Sequence, residues 1–433
     1  MKFLRIFFCL GIIFLINYSI SAQVKKPARK KVQINSTAKC TSKSDSLELF
    51  KFYKSLHGQE WTRPWNLSSP KNTWEGVSVN KSGCVSEIVF SDNNLSGSIP
   101  ALNLPALVQL MVDEKKVNGI FPSLSLLPNL KSLIIIVPEI TGTFPALDKN
   151  IELELLNIDC PQITGSIPNF EKQIKLEELY LNGNLAGILP EFTKLVKLQN
   201  LAISGPKITG HLPSFNFFPL LLDLKINNTS INGSIPNFQS NVLLKSIDLS
   251  SNKLSGVIPD LNALSKLDYL NLSNNQLTGQ IPNMEGLSLL EEINMEKNKL
   301  SGHIPSIKLP KLRILRMNQN QLDGSLSDFE FIPSIRLIDL SNNKLNGTIP
   351  DFKYMPVLEK LNLNNNLLTG EIPDFTRLPD LLNLLLNDNM LTGKITDFSH
   401  LTNLITLHLQ NNKFKGKAPK FKKCINLRNL KTT

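Results

Sequence analysis

The feature that most constrains this chain is a short unit that recurs fifteen times. Each unit ends in a Gly-x-Ile-Pro-like sequence, and consecutive glycines lie 23 residues apart, or 22 in three places. A chain of 433 residues would otherwise suggest several domains, but regular recurrence predicts a single repeat array. The glycines are Gly97, Gly119, Gly142, Gly165, Gly187, Gly210, Gly233, Gly256, Gly279, Gly302, Gly324, Gly347, Gly370, Gly393 and Gly416.

The pattern within one unit predicts its local structure. In LNLSNNQLTGQIP, residues 270–282, the alternation Leu-x-Leu indicates a short, half-buried strand. One unit cannot bury its apolar face alone, whereas stacked units can. The Asn after the strand has a side-chain amide able to satisfy backbone groups of adjoining turns. Gly allows close backbone approach and Pro keeps the next segment out of the main sheet, so a solenoid with one long parallel sheet is expected.

These residues resemble the leucine-rich repeat, in the plant-type form of receptor-kinase ectodomains and polygalacturonase-inhibiting proteins. The similarity covers residues 85–416, and SDSLELFKFYKSLHG with the later TWEGVSVN looks like the family's N-terminal cap. The resemblance implies an α/β leucine-rich repeat solenoid, a curved right-handed superhelix whose parallel strands form a concave, ligand-binding face. The chain departs from the plant form in its shorter units, in the missing Cys pair around Trp74, and in having no kinase or transmembrane segment.

The cap sequence predicts one amphipathic helix. We expect Ser44 or Asp45 to cap its beginning and Gly58 to end it. Its buried face would carry Leu49, Phe52, Tyr53 and Leu56.

The cysteines predict one disulfide bond. Cys40 and Cys84 flank the cap, and we expect them to pair, stabilising the fold by about 3–4 kcal/mol on a chain-entropy argument. Two free thiols at these positions are the alternative. Cys160 and Cys424 lie too far apart in a solenoid to meet, so we expect both to be free thiols.

The N-terminal segment predicts export. Lys2 and Arg5 precede an apolar run over residues 6–16, which is too short to span a bilayer, and small residues lead to Ala22. We interpret residues 1–22 as a signal peptide and the mature protein as secreted, extracellular or on the cell surface, where disulfides persist.

The net charge of +11 is concentrated at the two ends of the chain, which leaves the middle acidic. Basic ends on an acidic body indicate solvated tails, or tethers to an anionic envelope, rather than a nucleic-acid groove. The predicted organisation is a signal peptide (1–22), a basic tail (23–43), the cap (44–84), the repeats (85–416) and a basic C-terminal cap or tail (417–433).

The motifs of catalysis are missing from the sequence. The five His show no metal-ligand spacing, and no Gly-x-Ser-x-Gly or phosphate-binding loop occurs. We therefore predict a protein that is not an enzyme and needs no cofactor or metal.

Repeats 2 to 5 predict a binding site. Their outward concave positions carry apolar side chains where later repeats carry Ser and Asn, and acidic residues alongside would select a basic partner. Local degeneration with repacking is the alternative, because the Asn after the strand is replaced by Lys115, Pro138, Pro161, Pro206 and Thr229 in repeats 2 to 7. The predicted site comprises Met111, Asp113, Glu114, Ile134, Ile136, Val137, Leu155, Asp159 and Tyr180.

The function predicted from these features is a secreted, monomeric, non-enzymatic module that recognises a protein, peptide or glycan on its concave face and binds no nucleic acid. Two alternatives remain at this point. One is a structural or adhesive surface protein tethered by its basic tails, and the other is an inhibitor of a secreted hydrolase.

Overall fold

The computed structural model of the protein describes residues 42–326, 331–421 and 424–432. The predicted signal peptide, most of the basic N-terminal tail and Cys40 lie outside these ranges. Within them, no helix is both long enough and apolar enough to cross a bilayer.

One α-helix, three short 3-10 helices and a long series of short strands make up the described residues. The helix is α1 (Ser42–Ser55), and the 3-10 helices are Gly58–Glu60, Lys71–Thr73 and Phe215–Phe217. The strands are β1 (Val77–Val79), β2 (Val85–Ser91), β3 (Ser96–Ser98), β4 (Gln109–Asp113), β5 (Lys116–Ile120), β6 (Ser132–Ile136), β7 (Glu139–Thr141), β8 (Leu155–Cys160), β9 (Glu178–Gly183), β10 (Ala186–Ile188), β11 (Asn200–Ser204), β12 (Lys207–Thr209), β13 (Asp223–Asn227), β14 (Asn232–Gly233), β15 (Ser246–Asp248), β16 (Lys253–Gly256), β17 (Tyr269–Asn271), β18 (Gln276–Gly279), β19 (Glu292–Asn294), β20 (Lys299–His303), β21 (Ile314–Arg316), β22 (Gln321–Asp323), β23 (Leu337–Asp339), β24 (Lys360–Asn362), β25 (Asn383–Leu385), β26 (Thr406–His408) and β27 (Asn429–Lys431).

Most of these strands belong to one sheet of seventeen, which we call the main sheet. Apart from β1, which pairs antiparallel with β2, each strand pairs in parallel with the strand one turn away. Equivalent residues face each other, as Ile247, Leu270 and Ile293 do, so the buried leucines and isoleucines form one continuous core. The predicted parallel solenoid is confirmed. Strand β27 adds one more turn within the segment predicted to be a basic C-terminal cap or tail.

A second face is built from short parallel strands near the repeat glycines. They form three small sheets: β3, β5 and β7 in one, β10 and β12 in another, and β14, β16, β18, β20 and β22 in the third. Gly279 has φ +78°, and a Cβ there would lie 2.8 Å from Val257 of the preceding turn. Glycine is required at this point because the backbone is left-handed and the neighbouring turn is close.

The Asn after the strand forms a ladder between turns, as predicted. The Nδ2 atom of Asn275 donates to the carbonyl oxygens of Leu249 and Leu272, at 2.9 and 3.1 Å. Its Oδ1 atom accepts the backbone N–H of Leu254 at 3.0 Å. One buried amide thus satisfies backbone groups on two turns, and the same arrangement recurs from Asn298 to Asn412.

The six repeats without this Asn have longer strands. In repeat 5 the place of this Asn is taken by Gly183, in addition to the five replacements identified in the sequence. From β4 to β13 the main-sheet strands have five or six residues, whereas those from β15 onward have three. In the later repeats a left-handed residue such as Asn274, at φ 56°, precedes the ladder Asn and turns the chain out of the sheet. Repeats 2 to 6 have no left-handed residue there, and their strands are longer. Strands β2 and β13 are also longer, although the left-handed residues Asp92 and Asn228 follow them.

The N-terminal cap is an aromatic cluster closed by α1. Phe52 of the helix is buried and stacks on Phe90 of β2, with Trp61 and Trp65 against both rings. The predicted buried helix face is confirmed, since Leu49, Phe52 and Leu56 are fully buried and Tyr53 packs against them.

Two predicted roles at the ends of this helix are wrong. The helix begins at Ser42, so neither Ser44 nor Asp45 is its N-cap. Asp45 is instead buried, and its Oδ2 atom accepts the backbone N–H of Val85 at 2.7 Å. The left-handed residue after the helix is His57, at φ 51°, rather than Gly58.

The cysteines in the solenoid are free thiols, as predicted. Cys160 and Cys424 are both buried. Burial raises the pKa of the Cys160 thiol to about 12, so this group stays protonated. Cys84 is buried too, but Cys40 lies outside the described residues, so the Cys40–Cys84 disulfide stays a prediction.

Candidate functional site

The outward side of the main sheet, which we call the main-sheet face, displays side chains in rows that run from turn to turn. Parallel pairing in register places one residue of each strand in each row, at a spacing of about 4.8 Å between strands. One row runs from Met111 through Ile134 and Asn157 to Tyr180. A second row runs parallel to it from Asp113 to Asn182.

The second row puts one apolar side chain between two carboxylates. Ile136 pairs in register with Asp113 on one side and with Asp159 on the other. All three side chains are partly exposed, and Asn182 donates to the Oδ1 atom of Asp159 at 2.8 Å. Two strand spacings separate the two carboxylates by about 10 Å. The row therefore offers an aliphatic contact with negative charge at both ends.

Three residues of the predicted site are not available for contact. Ile134 faces outward but is only 2% exposed, because Met111 and Asn157 flank it in register and cover it. Val137 is fully buried and belongs to the hydrophobic core, since the longer strand carries it inward. The exposed apolar patch predicted from the sequence is therefore smaller than expected.

The third of these residues, Glu114, hydrogen-bonds to the backbone of the preceding turn, as a ladder Asn does, and does not lie at the rim of a site. It is 4% exposed, and its Oε1 atom accepts the backbone N–H of Asn93 at 2.6 Å. Burial raises the pKa of the Glu114 carboxyl, while the backbone N–H groups of Asn93 and Leu95 act in the opposite direction. Its carboxylate replaces the missing Asn of repeat 2, where Lys115 is exposed.

The remaining predicted residues lie together at the edge of this area. Leu155 and Glu178 are in-register neighbours, and Tyr180 donates its hydroxyl to the Oε2 atom of Glu178 at 3.0 Å. Burial and the nearby carboxylates of Glu178 and Asp223 raise the pKa of the Tyr180 phenol, so it remains a hydrogen-bond donor. The structure thus brings six of the predicted residues together on strands β4 to β9. They are Met111, Asp113, Ile136, Leu155, Asp159 and Tyr180.

In the later repeats the small polar side chains of the main-sheet face hold each other in place. Ser250 donates to the Oδ1 atom of Asp248 at 2.6 Å, and Asn227 donates to the other oxygen of the same carboxylate at 2.8 Å. Ser341 and Asn362 bind Asp339 in the same way. Sequence analysis missed these networks, although an Asp two residues before a Ser marks both of them.

The described residues contain no cluster of three or more His, Cys, Asp or Glu side chains that could hold a metal ion. The chemistry of the main-sheet face is that of hydrogen bonding, charge and apolar contact, which are the interactions of a recognition surface.

Four segments of the chain match a known family of repeats. The Leucine Rich Repeat family model matches residues 243–263, 266–285, 334–353 and 357–377. No curated protein sequence matches the chain significantly.

Many solved structures are similar, and three of them are described. The plant peptide hormone receptor RGFR1, in complex with RGF2, has a TM-score of 0.77 and 28% identity over 83% of this chain, which spans 60% of that receptor chain. The Arabidopsis receptor kinase HAESA, in complex with the peptide hormone IDA and the co-receptor SERK1, has a TM-score of 0.72 and 26% identity, covering 90% of this chain and 73% of that one. The Leptospira interrogans LRR protein LIC12759 has a TM-score of 0.57 and 25% identity, covering 74% and 82%.

Proposed function

We propose that this chain, a leucine-rich repeat protein, is a binding module that recognises a peptide or protein on its main-sheet face. The single observation that carries this function is the row that holds Ile136 between Asp113 and Asp159. The likeness to a peptide hormone receptor solved with RGF2 and to a receptor kinase solved with the peptide hormone IDA supports it.

The row fits one kind of ligand group. A lysine or arginine side chain has an aliphatic stem, which would pack on Ile136, and a cationic head, which would pair with Asp113 or Asp159. Met111 and Leu155, both partly exposed, supply further apolar contact beside this row. The ligand we propose is therefore a basic peptide or a basic segment of a protein.

The finer parts of this proposal concern the setting of the protein. We place it outside the cell, without enzymatic activity and as a monomer, with residues 1–22 removed as a signal peptide and Cys40 linked to Cys84. The hormone receptors among its structural relatives and the sequence of its N-terminus support this setting.

Selection from a random peptide display library tests the proposed function. We expect the wild-type protein to enrich peptides that contain Lys or Arg, and the variant D113N/D159N to bind those peptides roughly tenfold more weakly, as expected when two partly screened charge contacts are lost. Ile136→Ser should weaken binding separately by removing the apolar contact. Affinity is measured by titration of synthetic copies of the selected peptides.

A matched control lies on the same face. Asn364 and Asn383 are partly exposed in repeats 13 and 14, and the variant N364S/N383S should bind the peptides as the wild type does. Enrichment of acidic peptides, unchanged binding by D113N/D159N, or loss of binding only in the control would contradict the proposed site.

A further inference from the structure

The solenoid neutralises many of its basic side chains with a carboxylate one turn away. Lys131 pairs with Glu154 at 2.9 Å. Further pairs of this kind are Lys172–Asp148, Lys175–Glu152, Arg313–Glu291, Arg316–Glu292, Arg336–Glu359 and Lys360–Asp339. The rows that bring apolar residues together thus also bring opposite charges together.

The end of the array, residues 390–421, has few acids with which its lysines could form such pairs. Five lysines there are exposed, and within the described ranges none of them lies within ion-pair distance of a carboxylate. Between residues 390 and 421 the sequence contains one acid, Asp397. The carboxylate of Glu371 lies over Gly393 and marks the inner border of the group. We call these residues the lysine row: Lys394, Lys413, Lys415, Lys417 and Lys420.

The backbone holds the lysine row on a fixed scaffold. The N–H groups of Lys413 and Lys415 donate to the carbonyl oxygens of Leu391 and Gly393, both at 2.8 Å. Phe414 between them packs against the core, which directs Lys413 and Lys415 outward.

The equivalent segment of repeat 10 shows which positions among Lys413, Lys415 and Lys417 are exposed. Strand β20 has the same positions at Lys299, Ser301 and His303, and its only buried residue is Leu300. Alternate residues of an extended chain lie about 7 Å apart on one side. Lys413 and Lys415 therefore lie about 7 Å apart on one side. Gly416, at φ 85°, turns the chain before Lys417, and Lys394 precedes Lys417 by one turn in the same row.

We propose that the lysine row is a docking surface for a linear anionic polysaccharide. A group of unneutralised cations held on a fixed backbone complements a chain that carries many negative charges along its length. A single-stranded nucleic acid would need aromatic platforms for its bases, but Phe414 is packed against the core and Phe421 is buried. A membrane would favour apolar side chains that can insert, and the segment 390–421 that carries the row exposes none; Ile425 and Leu430 are exposed in the turn after it, so vesicle binding is measured as the competing outcome.

Binding to dextran sulfate, with neutral dextran as the reference polymer, tests this proposal. We expect the variant K413Q/K415Q/K417Q to bind dextran sulfate roughly tenfold more weakly than the wild type at low salt, the size expected from three exposed charge contacts. The matched control K207Q/K253Q/K299Q removes the same charge from exposed lysines that are equivalent to Lys413 in other repeats, and it should bind within about twofold of the wild type. Thermal unfolding of both variants confirms that they fold.

Three results would overturn the proposal. Equal weakening by both variants would mean that net charge alone attracts the polymer. Tighter binding to oligothymidylate would indicate a nucleic-acid surface, and tighter binding to vesicles of phosphatidylcholine and phosphatidylglycerol would indicate a membrane surface. A difference between the two variants that is confined to dextran sulfate supports the polysaccharide.

Discussion

At the scale of single residues, burial decides the role of a side chain more than its position in the repeat does. Glu114 follows Asp113 in the sequence, and both were predicted to lie at the rim of the same site. Asp113 is partly exposed, whereas Glu114 turns inward and binds the backbone of repeat 1. Sequence patterning assigned the strand correctly, but it could not show which of two adjacent carboxylates enters the ladder once Asn is missing.

The role of Glu114 predicts different effects for two substitutions. Glu114→Ala leaves the buried N–H of Asn93 without its acceptor and should lower the free energy of unfolding by about 1–3 kcal/mol. Glu114→Gln keeps an acceptor oxygen without the cost of burying a charge, so it should be close to neutral or stabilising at pH 7. Urea denaturation measures both.

The same carboxyl predicts a pH dependence. Because its pKa is raised in the folded state, the folded protein holds this proton more tightly than the unfolded chain does. The stability contributed by the protonated form is present below the ordinary pKa of 4.5 and is lost as pH rises through the folded pKa. The stability of Glu114→Gln relative to the wild type should therefore increase across this window. A constant difference between the two proteins, or one that decreases with pH, would show that Glu114 does not bear this burial cost.

At the scale of elements, the repeat period determined nearly all of the fold in advance. Alternating leucines predicted the strands, and recurrence predicted their parallel register, because each turn must bury the same side chains against the next. The lengths of the strands were not predictable from alternation. In repeats 8 to 15 a left-handed residue and a ladder Asn follow each short strand, as Asn274 and Asn275 do, whereas β8 stays extended without them. The longer strands are what carried Val137 into the core and removed it from the predicted site.

The Asn ladder predicts that one substitution in the regular repeats lowers stability strongly. Asn275→Ala removes an acceptor for Leu254 and a donor for Leu249, both of which are buried. We expect the free energy of unfolding to fall by about 2–4 kcal/mol, since the groups left behind cannot reach water. The midpoint of urea denaturation reports this loss.

The adjacent Gln276 provides the control for this substitution. It is exposed, and Gln276→Ala should change stability by no more than about 0.5 kcal/mol. Equal effects of the two substitutions would mean that the Asn ladder contributes little to the stacking of turns.

At the scale of the whole molecule, a solenoid contacts itself only between neighbouring turns, so a local change should have a local effect. Asp45 is one of the polar links between the N-terminal cap and the first turn: its carboxylate accepts the N–H of Val85 and lies 4.0 Å from the Lys71 ammonium. Aromatic packing around Phe52 adds the apolar part of this junction.

Asp45→Ala should therefore loosen the cap without unfolding the distant repeats. The buried N–H of Val85 loses a charged acceptor, a loss of about 1.5–3 kcal/mol that falls on α1, β1 and β2. Hydrogen exchange should become faster in these three elements and remain unchanged in β24 to β26, because no contact of Asp45 reaches them. Asp45→Asn keeps an acceptor oxygen and should show a smaller increase over the same elements. Faster exchange along the entire main sheet in Asp45→Ala would show that the array unfolds as one cooperative unit and that nearest-neighbour stacking does not describe it.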